Sequence, residues 1–597
     1  MSRRAFIGVL GVTTMVVAAC SSSGPASHTT SQGKPLVYEP TTGVTFSDDF
    51  NPYDPNSVAS SVGMKSILYE PLVEFDQLDP TSAGTHFWLA TAYAFQNGGK
   101  DLQITLRTGV KFSDGSSFGP KDVAATFTAM NNPKADVPGV APQTAAPTIS
   151  GNTVTLHFGT PQYTGLWAIL GTTYIMQASV ANQIAQNPTM QITHPVGTGP
   201  FELDSYSTSL IKFKPNPHYW GGTPPESEVE VPSVATNAAA SDALVSDQLD
   251  WAGNDIPNIY ASFVNLDPQT NHAWFASGST VMLRFNLSPG NGGATGIDEV
   301  AVRKAVSYGI DRNALALLGE SGYEEPATSS GGLILPAQKA FLPGDGSLTN
   351  DLSTTGNVPD PATAKTDNLP TGDDVYDILT SGGWKAPASS SFNSGSGTFK
   401  SGGNCDGTNV ANCWTKGSEI IKFSVYDPVP FSDYWEDASL ISQELQALGM
   451  DVTTKPAQGY SDWNANISGN NAAWQTAIHW GQGGQIPYTQ YEDWLDYSNA
   501  TTAAHYEGYS NAAAEADLQT YAGTDPSDIT TLYPAVQALE KIVSTEVPEA
   551  PLLYGADWNV YSSAKYVGWP DQSQPYMDPS PSDPQMPYIL MQLKPAS

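Results

Sequence analysis

The chain has 597 residues and carries 25 Lys and Arg residues against 59 Asp and Glu residues, which gives a formal net charge of −34 at pH 7. A protein this acidic repels the phosphates of nucleic acids and of anionic membranes, so charge-driven binding to either is excluded. The length suffices for a large hydrophobic core and for more than one domain.

The first twenty residues predict export. Arg3 and Arg4 precede an apolar run over residues 5–19, and small residues end this run before Cys20. This pattern is typical of a bacterial export signal, and the run is too short to span a bilayer. The sequence VAAC resembles a lipobox, so we expect lipid on Cys20 to anchor the protein to the outer face of the cytoplasmic membrane. An ordinary cleaved signal is the alternative, and the arginine pair leaves general and twin-arginine export open.

Elements further along the chain predict a mixed α/β protein. Residues 102–112 alternate apolar and polar side chains like a half-buried strand, and residues 117–130 follow as a helix with Pro120 in its first turn. Residues 154–158 form another alternating strand. Strands and helices continue to alternate downstream, which indicates α/β lobes. After the signal, no stretch is long and apolar enough for a transmembrane helix.

The two remaining cysteines lie in a turn-rich segment. Residues 344–417 are rich in Ser, Gly and Asp and are interrupted by a short helix around residues 374–379, so we expect a surface insertion. In an exported protein, a local disulfide between Cys405 and Cys413 is the natural interpretation. Metal binding is less favoured because no His or third Cys lies at ligand spacing. We expect no metal and no cofactor.

Four sequence blocks resemble the family 5 extracellular solute-binding proteins of ABC importers, and their order agrees with that family. These proteins are oligopeptide-, dipeptide-, nickel- and oligosaccharide-binding receptors. The blocks are YEPLVEF at 69–75, LRTGVKFSDG at 106–115 with DV at 122–123, GTGPF at 197–201 with NPHYWGG at 216–222, and VRKA at 302–305 with IDR at 310–312. The resemblance extends over about residues 36–590. Most of the blocks resemble structural turns, caps and hinge packing.

The resemblance implies a two-lobed, periplasmic-binding-protein-like α/β fold with a hinge and an extra domain in the first lobe. It also implies a receptor that performs no chemistry on its ligand and presents its closed form to the transmembrane subunits of an ABC permease. We expect a monomer that binds no nucleic acid. The expected segments are a signal peptide (1–19), a lipidated Ser/Gly tether (20–35), lobe I (36–75, 195–285 and 553–597), its extra domain (76–194) and lobe II (286–552).

The loop after Trp480 gives the clearest indication of the ligand. Residues 477–487 read AIHWGQGGQIP, a strand end that enters a Gly/Gln loop. Peptide-binding members of the family usually place an aspartate here, where it pairs with the peptide ammonium. Gln482 and Gln485 are neutral amides that suit sugar hydroxyls instead. This loop and the DWAGNDIPNI segment at 250–259 resemble the cello-oligosaccharide-binding branch, so we predict a neutral cello- or xylo-oligosaccharide as ligand.

Aromatic side chains are the expected stacking surfaces for sugar rings. Trp480 is the strongest candidate, because the family points this position into the cleft. The other candidate ligand contacts are Tyr488, Tyr491, Trp494, Trp251, Trp463, Trp435 and Trp88, although most aromatic residues pack in cores or interfaces. Asp250 and Trp251 could equally stabilise a strand-to-loop corner.

Three alternatives stay open at this point. An oligopeptide receptor of the same family would use Glu492, Asp493 or Asp496 in place of the missing aspartate. Composition is compatible with a two-carboxylate glycosidase, but the chain has no hydrolase, phosphate-loop or zinc motif, so we do not expect an enzyme. A metal receptor would depend on His479, which is better explained as a packed strand residue. A structural calcium at residues 345–351 lacks the ligand spacing of a known calcium loop.

Overall fold

The computed structural model describes residues 33–61, 63–135, 140–253, 256, 258–328, 334–341, 375–393, 398–400, 402–429, 431–469, 472–481 and 483–596. The predictions for the export signal and Cys20, for Gln482, and for a calcium site at residues 345–351 lie outside the described residues.

Lobe I and its extra domain alternate short strands and helices. The first segment of lobe I contains β1 (Leu36–Glu39), α1 (Val58–Ser61), α2 (Lys65–Leu68) and β2 (Val73–Phe75). The strand β3 (Thr85–Phe87) lies within the bounds expected for the extra domain and pairs with β2. The extra domain contains β4 (Ala90–Gln96), β5 (Asp101–Leu106), α3 (Pro120–Ala129), β6 (Gln143–Ser150), β7 (Thr153–Phe158) and α4 (Ala178–Ile184). The chain returns to lobe I in β8 (Phe201–Tyr206), β9 (Leu210–Pro215), β10 (Val229–Pro232), α5 (Asn237–Val245), β11 (Trp251–Ala252) and α6 (Ile259–Ser262).

Lobe II lies between two long strands, β12 (Asn271–Phe285) and β21 (Glu549–Ser562). Its first half contains α7 (Val300–Gly309), α8 (Arg312–Ala314), β13 (Glu325–Pro326), α9 (Val375–Ser381), β14 (Ser391–Asn393), β15 (Thr398–Lys400), β16 (Thr415–Lys416) and β17 (Glu419–Ile420). Its second half contains β18 (Lys422–Pro428), α10 (Ser432–Ala447), β19 (Asp451–Ala457), α11 (Tyr460–Ser468), β20 (Thr476–Trp480), α12 (Tyr488–Leu495), α13 (Ala503–Glu507), α14 (Ala512–Gly523) and α15 (Ile529–Glu546). The chain ends in lobe I with β22 (Tyr566–Val567), α16 (Met586–Gln592) and β23 (Lys594–Pro595).

One mixed sheet runs through both lobes. In the described part of the chain its strand order is β19-β18-β20-β12-β21-β11-β1-β10-β9-β8, with β13 paired to β21. The strands β18, β19 and β20 are parallel in lobe II, and β1 is parallel to both β10 and β11 in lobe I. Parallel strands joined by helices on the sheet faces are typical of α/β lobes, as the sequence predicts.

The long antiparallel strands β12 and β21 connect the lobes. Their register runs from Asn271 opposite Ser562 to Arg284 opposite Glu549. In lobe I, β21 pairs with β11, whereas in lobe II, β12 pairs with β20. A register shift between Ser277 and Ser279 leaves Gly278 as a bulge near the middle of the pair. These two strands therefore form the hinge that the sequence predicts.

The extra domain is a four-stranded antiparallel sheet, in the order β4-β5-β7-β6, with α3 packed against it. The predicted helix is present but begins at Pro120, because the Asp122 carboxylate caps it by accepting the Gly119 N–H at 2.8 Å. The predicted strand ends early, at Leu106, because the chain turns at Gly109 with φ +80°.

The surface insertion contains the expected disulfide, which joins Cys405 and Cys413. The Cys405 N–H donates to the Gln446 carbonyl at 3.0 Å, and the Trp414 N–H donates to the Gly449 carbonyl at 2.9 Å. Both acceptors lie at the carboxyl end of α10. Because α10 begins directly after β18 ends, this loop packs at the opposite end of lobe II from the carboxyl ends of its parallel strands.

We expect the double change Cys405→Ser with Cys413→Ser to lower stability and leave ligand binding unchanged. Closing a loop of this length by a disulfide contributes about 2–3 kcal/mol in the chain-entropy description. Urea unfolding of oxidised wild type, reduced wild type and the variant measures this loss, and the last two should coincide. A weakened ligand response in the variant would show instead that the loop reaches the cleft.

Candidate functional site

The carboxyl ends of the parallel strands in lobe II meet beside the hinge. The strands β18 and β20 end at Pro428 and Trp480, and Trp480 lies opposite Val281 of β12. Ligands of open α/β sheets bind outside the carboxyl ends of the parallel strands. The candidate site is therefore the region around Trp480, between lobe II, the hinge and the facing edge of lobe I.

Trp480 belongs to a group of four rings, which we name the Trp480 platform: Trp480, His479, Trp463 and Tyr434. The Trp480 ring centroid lies 4.5 Å from His479, 5.5 Å from Trp463 and 6.3 Å from Tyr434. Trp480 is half-buried, whereas Trp463 is fully buried and donates its indole N–H to the Tyr426 carbonyl at 3.1 Å. Trp463 therefore supports the platform from below and has no surface for a ligand in this conformation.

His479 is a packed strand residue. Its ring stacks on Trp463 at a centroid distance of 4.8 Å, and its Nδ1 lies against the Trp480 carbonyl. Burial, with a smaller contribution from Arg284, holds the pKa of His479 well below its usual value. The imidazole is therefore neutral at physiological pH and held by aromatic packing.

Gln485 joins the two lobes. Its Nε2 lies 3.1 Å from the carbonyl oxygen of Asp76, 3.3 Å from that of Asp79 and 3.4 Å from that of Gly84. These carbonyls belong to the segment that leads into the extra domain, so the amide donors of Gln485 are occupied by the opposite lobe. The structure thus gives the Gln485 amide nitrogen a contact that joins the lobes, and the role of reading sugar hydroxyls stays a prediction.

The glycines beside Gln485 allow this close approach. A β-carbon on Gly483 would lie 2.5 Å from the Gly278 carbonyl oxygen of the hinge bulge. The Gly484 carbonyl accepts the Gln338 side-chain amide at 2.6 Å. Loop 483–487 therefore lies directly against the hinge, and a side chain at Gly483 would push it away.

Three other predicted contact residues are fully buried. Trp251 donates its indole N–H to Asn559 Oδ1 at 2.7 Å, and the Tyr491 hydroxyl donates to Glu540 Oε1 at 2.6 Å. The Trp494 ring lies under the Arg284 guanidinium at 4.6 Å. These contacts are structural, because a side chain enclosed in this way presents no surface to a ligand.

Two of the remaining predicted aromatic residues pack against other rings. Tyr488 packs edge-on against Tyr521 with ring centroids 5.2 Å apart. Trp88 packs in lobe I against Trp220 at 5.1 Å and Tyr588 at 5.7 Å. Trp435 is half-buried on α10, next in sequence to Tyr434.

Two carboxylates near the platform were missed by the sequence analysis. Asp427 is the penultimate residue of β18 and accepts the Ile478 N–H at 3.1 Å, and a hydrogen bond from the Trp463 side chain lowers its pKa against the larger effect of burial. Asp437 lies on α10 one turn after Tyr434, is fully buried, and has no hydrogen-bond partner for either oxygen among the described residues. Burial raises the pKa of both groups well above the usual range. The sequence places Tyr434 and Asp437 three residues apart, which is one turn of a helix. In a chain with 59 acidic residues, this spacing alone does not single out Asp437.

Three acidic residues were considered as substitutes for the missing loop aspartate, and the structure gives two of them local protein partners. Asp493 accepts the Ala503 N–H at 3.0 Å and lies 3.8 Å from Arg284 inside lobe II. Asp496 accepts the Ser498 N–H at 2.8 Å in a turn. Glu492 is half-buried, and burial raises its pKa to about 7. Asp493 and Asp496 therefore stabilise local structure.

Residues 85–502 match the model of the bacterial extracellular solute-binding proteins, family 5. The protein belongs to this family. The glutathione-binding protein GsiB of Escherichia coli O1:K1 is 26% identical over 339 residues, which cover 54% of this chain and 60% of that relative. GsiB of Salmonella paratyphi A is 28% identical over 283 residues, covering 47% of this chain and 53% of the relative. The family 5 chain thus spans about half to 60% of the length of these curated relatives.

Solved structures share the fold of this family 5 protein. A periplasmic oligopeptide-binding protein of Thermotoga maritima aligns with a TM-score of 0.75 at 18% identity, covering 95% of this chain and 100% of that one. A mannohexaose-bound structure of an oligopeptide-binding protein from the same organism gives 0.68 at 18% identity, with coverages of 95% and 99%. Bacillus subtilis AppA with a nonapeptide gives 0.65 at 16% identity, with coverages of 95% and 99%. These alignments confirm the predicted two-lobed fold and leave the cello-oligosaccharide branch unconfirmed.

The sequence blocks of the family 5 resemblance form structural contacts in lobe I. Glu70 of the first block accepts the Trp220 indole N–H at 3.0 Å, and Arg107 of the second block lies 4.0 Å above the Trp220 ring. Gly197 of the third block approaches the Leu68 carbonyl so closely that a β-carbon would lie 1.9 Å from its oxygen. The blocks therefore fix the start of the extra domain against lobe I.

None of the helices in the described ranges is both long and apolar enough to cross a membrane.

Proposed function

We propose that this family 5 protein captures a solute between its lobes and delivers it, chemically unchanged, to the transmembrane subunits of an ABC permease. Family membership and the two-strand hinge support this function. A ligand that contacts both lobes stabilises the closed form by its differential affinity for that form. Lipid on Cys20, as expected from the sequence, would hold the receptor beside the permease.

The proposed ligand is a neutral oligosaccharide, and the Trp480 platform is the observation that carries this assignment. A half-buried indole supported by three further rings offers a rigid face on which the C–H groups of a sugar ring stack.

An oligopeptide is the second candidate, and the Asp437 carboxylate favours it, on the condition that the elements enclosing this side chain move apart when the ligand binds. Asp437 is fully buried without a hydrogen-bond partner in the described part of the chain. A ligand ammonium would satisfy such a group, because a buried carboxylate is stabilised by a paired cation. In this alternative, Asp437 of α10 takes the role of the aspartate that loop 483–487 lacks.

A ligand screen by thermal shift distinguishes the two classes. The probes are mannohexaose, cellohexaose, tetraalanine and N-acetyl-tetraalanine, each added to the purified protein. A ligand at a hundred times its dissociation constant stabilises the protein by about 2.7 kcal/mol. Stabilisation by a hexaose alone supports the oligosaccharide. Stabilisation by tetraalanine that is lost on acetylation supports the peptide, and Asp437→Asn should then abolish it.

Trp480→Ala should weaken binding of the stabilising ligand by about 1–3 kcal/mol, or about 5- to 150-fold, with little loss of fold. The physical reason is loss of the stacking face, so Trp480→Phe should retain most of the affinity. Isothermal titration measures both variants. Tyr497→Ala, which removes a 39% exposed ring elsewhere in lobe II, is the matched control. A large fall in melting temperature with unchanged affinity would identify Trp480 as a core residue.

A further inference from the structure

Three aspartates converge where the hinge meets the C-terminal segment. Asp557 lies on β21, and Asp578 and Asp583 lie between β22 and α16. One carboxylate oxygen from each lies within 4.8 Å of those of the other two. They come from two separate segments of the chain, so the fold brings them together.

The Asp578 side chain is aimed into this group. It is fully buried, and among the described residues its carboxyl group meets only the carboxyl groups of Asp557 and Asp583, with no N–H or hydroxyl donor. One buried oxygen each of Asp557 and Asp583 also has no such donor in the described part of the chain. None of the three takes part in an ion pair within the described ranges. Asp557 and Asp583 are half-buried and Asp578 is buried, so three carboxylates held this close without a cation are unfavourable when ionised.

The hinge bulge makes space for Asp557. A β-carbon on Gly278 would lie 1.4 Å from Asp557 Oδ2, so the carboxylate rests directly against the glycine backbone. On the other side, Asp76 is 2% exposed, and its main-chain carbonyl accepts the Gln485 amide of lobe II. Burial first, and then the neighbouring Asp79, raise the pKa of Asp76 to about 6, while N–H groups including that of Asp578 lower it. The group thus lies between the hinge and the closing contact.

We propose that Asp557, Asp578 and Asp583 bind a divalent cation, with Ca²⁺ as the best-fitting ion. Calcium prefers carboxylate oxygens at about 2.3–2.6 Å, so opposite ligands are about 4.6–5.2 Å apart. Mg²⁺ binds at about 2.0–2.1 Å and needs a smaller octahedron. Separations of no more than 4.8 Å let all three oxygens bind one cation. Calcium is the favoured ion because it accepts several carboxylates in a flexible geometry, whereas Mg²⁺ usually keeps several waters and binds one or two carboxylates. Such an ion cross-links the hinge strand β21 to the segment before α16.

The test uses the full protein after treatment with EDTA and dialysis. We expect CaCl₂ to raise the melting temperature, and isothermal titration to give one ion per chain, with MgCl₂ at least tenfold weaker. Asp578→Asn and Asp583→Asn should each lose at least tenfold in calcium affinity. Glu226→Gln, which changes an equally buried acid of lobe I, should keep wild-type calcium binding.

Without metal, the stability of these variants should change in the opposite direction to their calcium affinity. Asp578→Asn removes one charge from a crowded acidic group, so in EDTA it should melt at or above the wild-type temperature while its response to calcium is lost. If Asp578→Asn fails to fold, Asp583→Asn carries the same comparison. Absence of calcium binding to the wild type, or a calcium response retained in both variants, would overturn the proposal. These readouts need no transported solute, so they are independent of the ligand assignment.

Discussion

Arg284→Met should lower the free energy of unfolding by about 3–5 kcal/mol at pH 7, because it removes one partner of a buried charge network. Arg284 is 4% exposed, and its guanidinium lies 3.4 Å from Glu507 and 3.8 Å from Asp493. It also covers the Trp494 ring at 4.6 Å. Methionine retains apolar packing on the indole, so the measured loss reports mainly the missing charge.

The acids around Arg284 explain why this effect should be large. Burial raises the pKa of Glu507 and of the fully buried Glu549, and Arg284 opposes that shift in both. Without the guanidinium these carboxylates must become protonated or remain as uncompensated buried charges. The loss should therefore be larger at pH 8 than at pH 5, because at pH 5 the acids are protonated more readily.

Urea unfolding of wild type and Arg284→Met at both pH values measures the effect. Lys416→Met is the matched control, because Lys416 forms an exposed ion pair with Glu299 at 2.9 Å. Exposed pairs contribute about 0–1 kcal/mol. Equal losses in the two variants would show that the buried network contributes no more than a surface pair.

The sequence predicts the framework of the lobes because short motifs encode local geometry. Pro120 and Asp122 specify the start of α3, and the alternation of residues 154–158 gives β7 almost residue for residue. The family blocks identify the fold for a related reason. Glu70, Arg107 and Trp220 come from separate blocks, yet Glu70 and Arg107 both contact Trp220.

The candidate site is less predictable because its contacts join residues far apart in sequence. Gln485 is an expected hydroxyl reader from its loop alone, but its partners include Asp76, which is 409 positions away. Composition also cannot separate Trp480, which is half-buried, from Trp463 and Trp494, which are enclosed. Burial of an aromatic residue depends on which elements cover it, and this is decided by tertiary packing.

Glu226→Gln should stabilise the protein at pH 8 by up to about 4 kcal/mol more than at pH 5. Glu226 is fully buried, and neither carboxylate oxygen has a hydrogen-bond partner among the described residues. Burial raises its pKa from 4.5 to about 8. Between these values the unfolded chain releases a proton that the folded protein retains, so this group's contribution to stability is complete below pH 4.5 and is lost as pH rises towards 8.

Glutamine keeps the shape of the side chain and removes its titration, so the variant should lack this part of the pH dependence. Urea unfolding from pH 5 to pH 8 compares how steeply the free energy of unfolding changes with pH in the two proteins. Glu419→Gln, in the short strand β17, is the control. Parallel profiles for wild type and Glu226→Gln would show that the carboxylate finds a compensating partner.

The location of Glu226 explains why its charge matters. The neighbouring Pro225 carbonyl accepts the Gly33 N–H at 3.0 Å, where the described chain first joins lobe I. A charge buried at this junction opposes docking of the first strand, and its neutralisation should strengthen that docking.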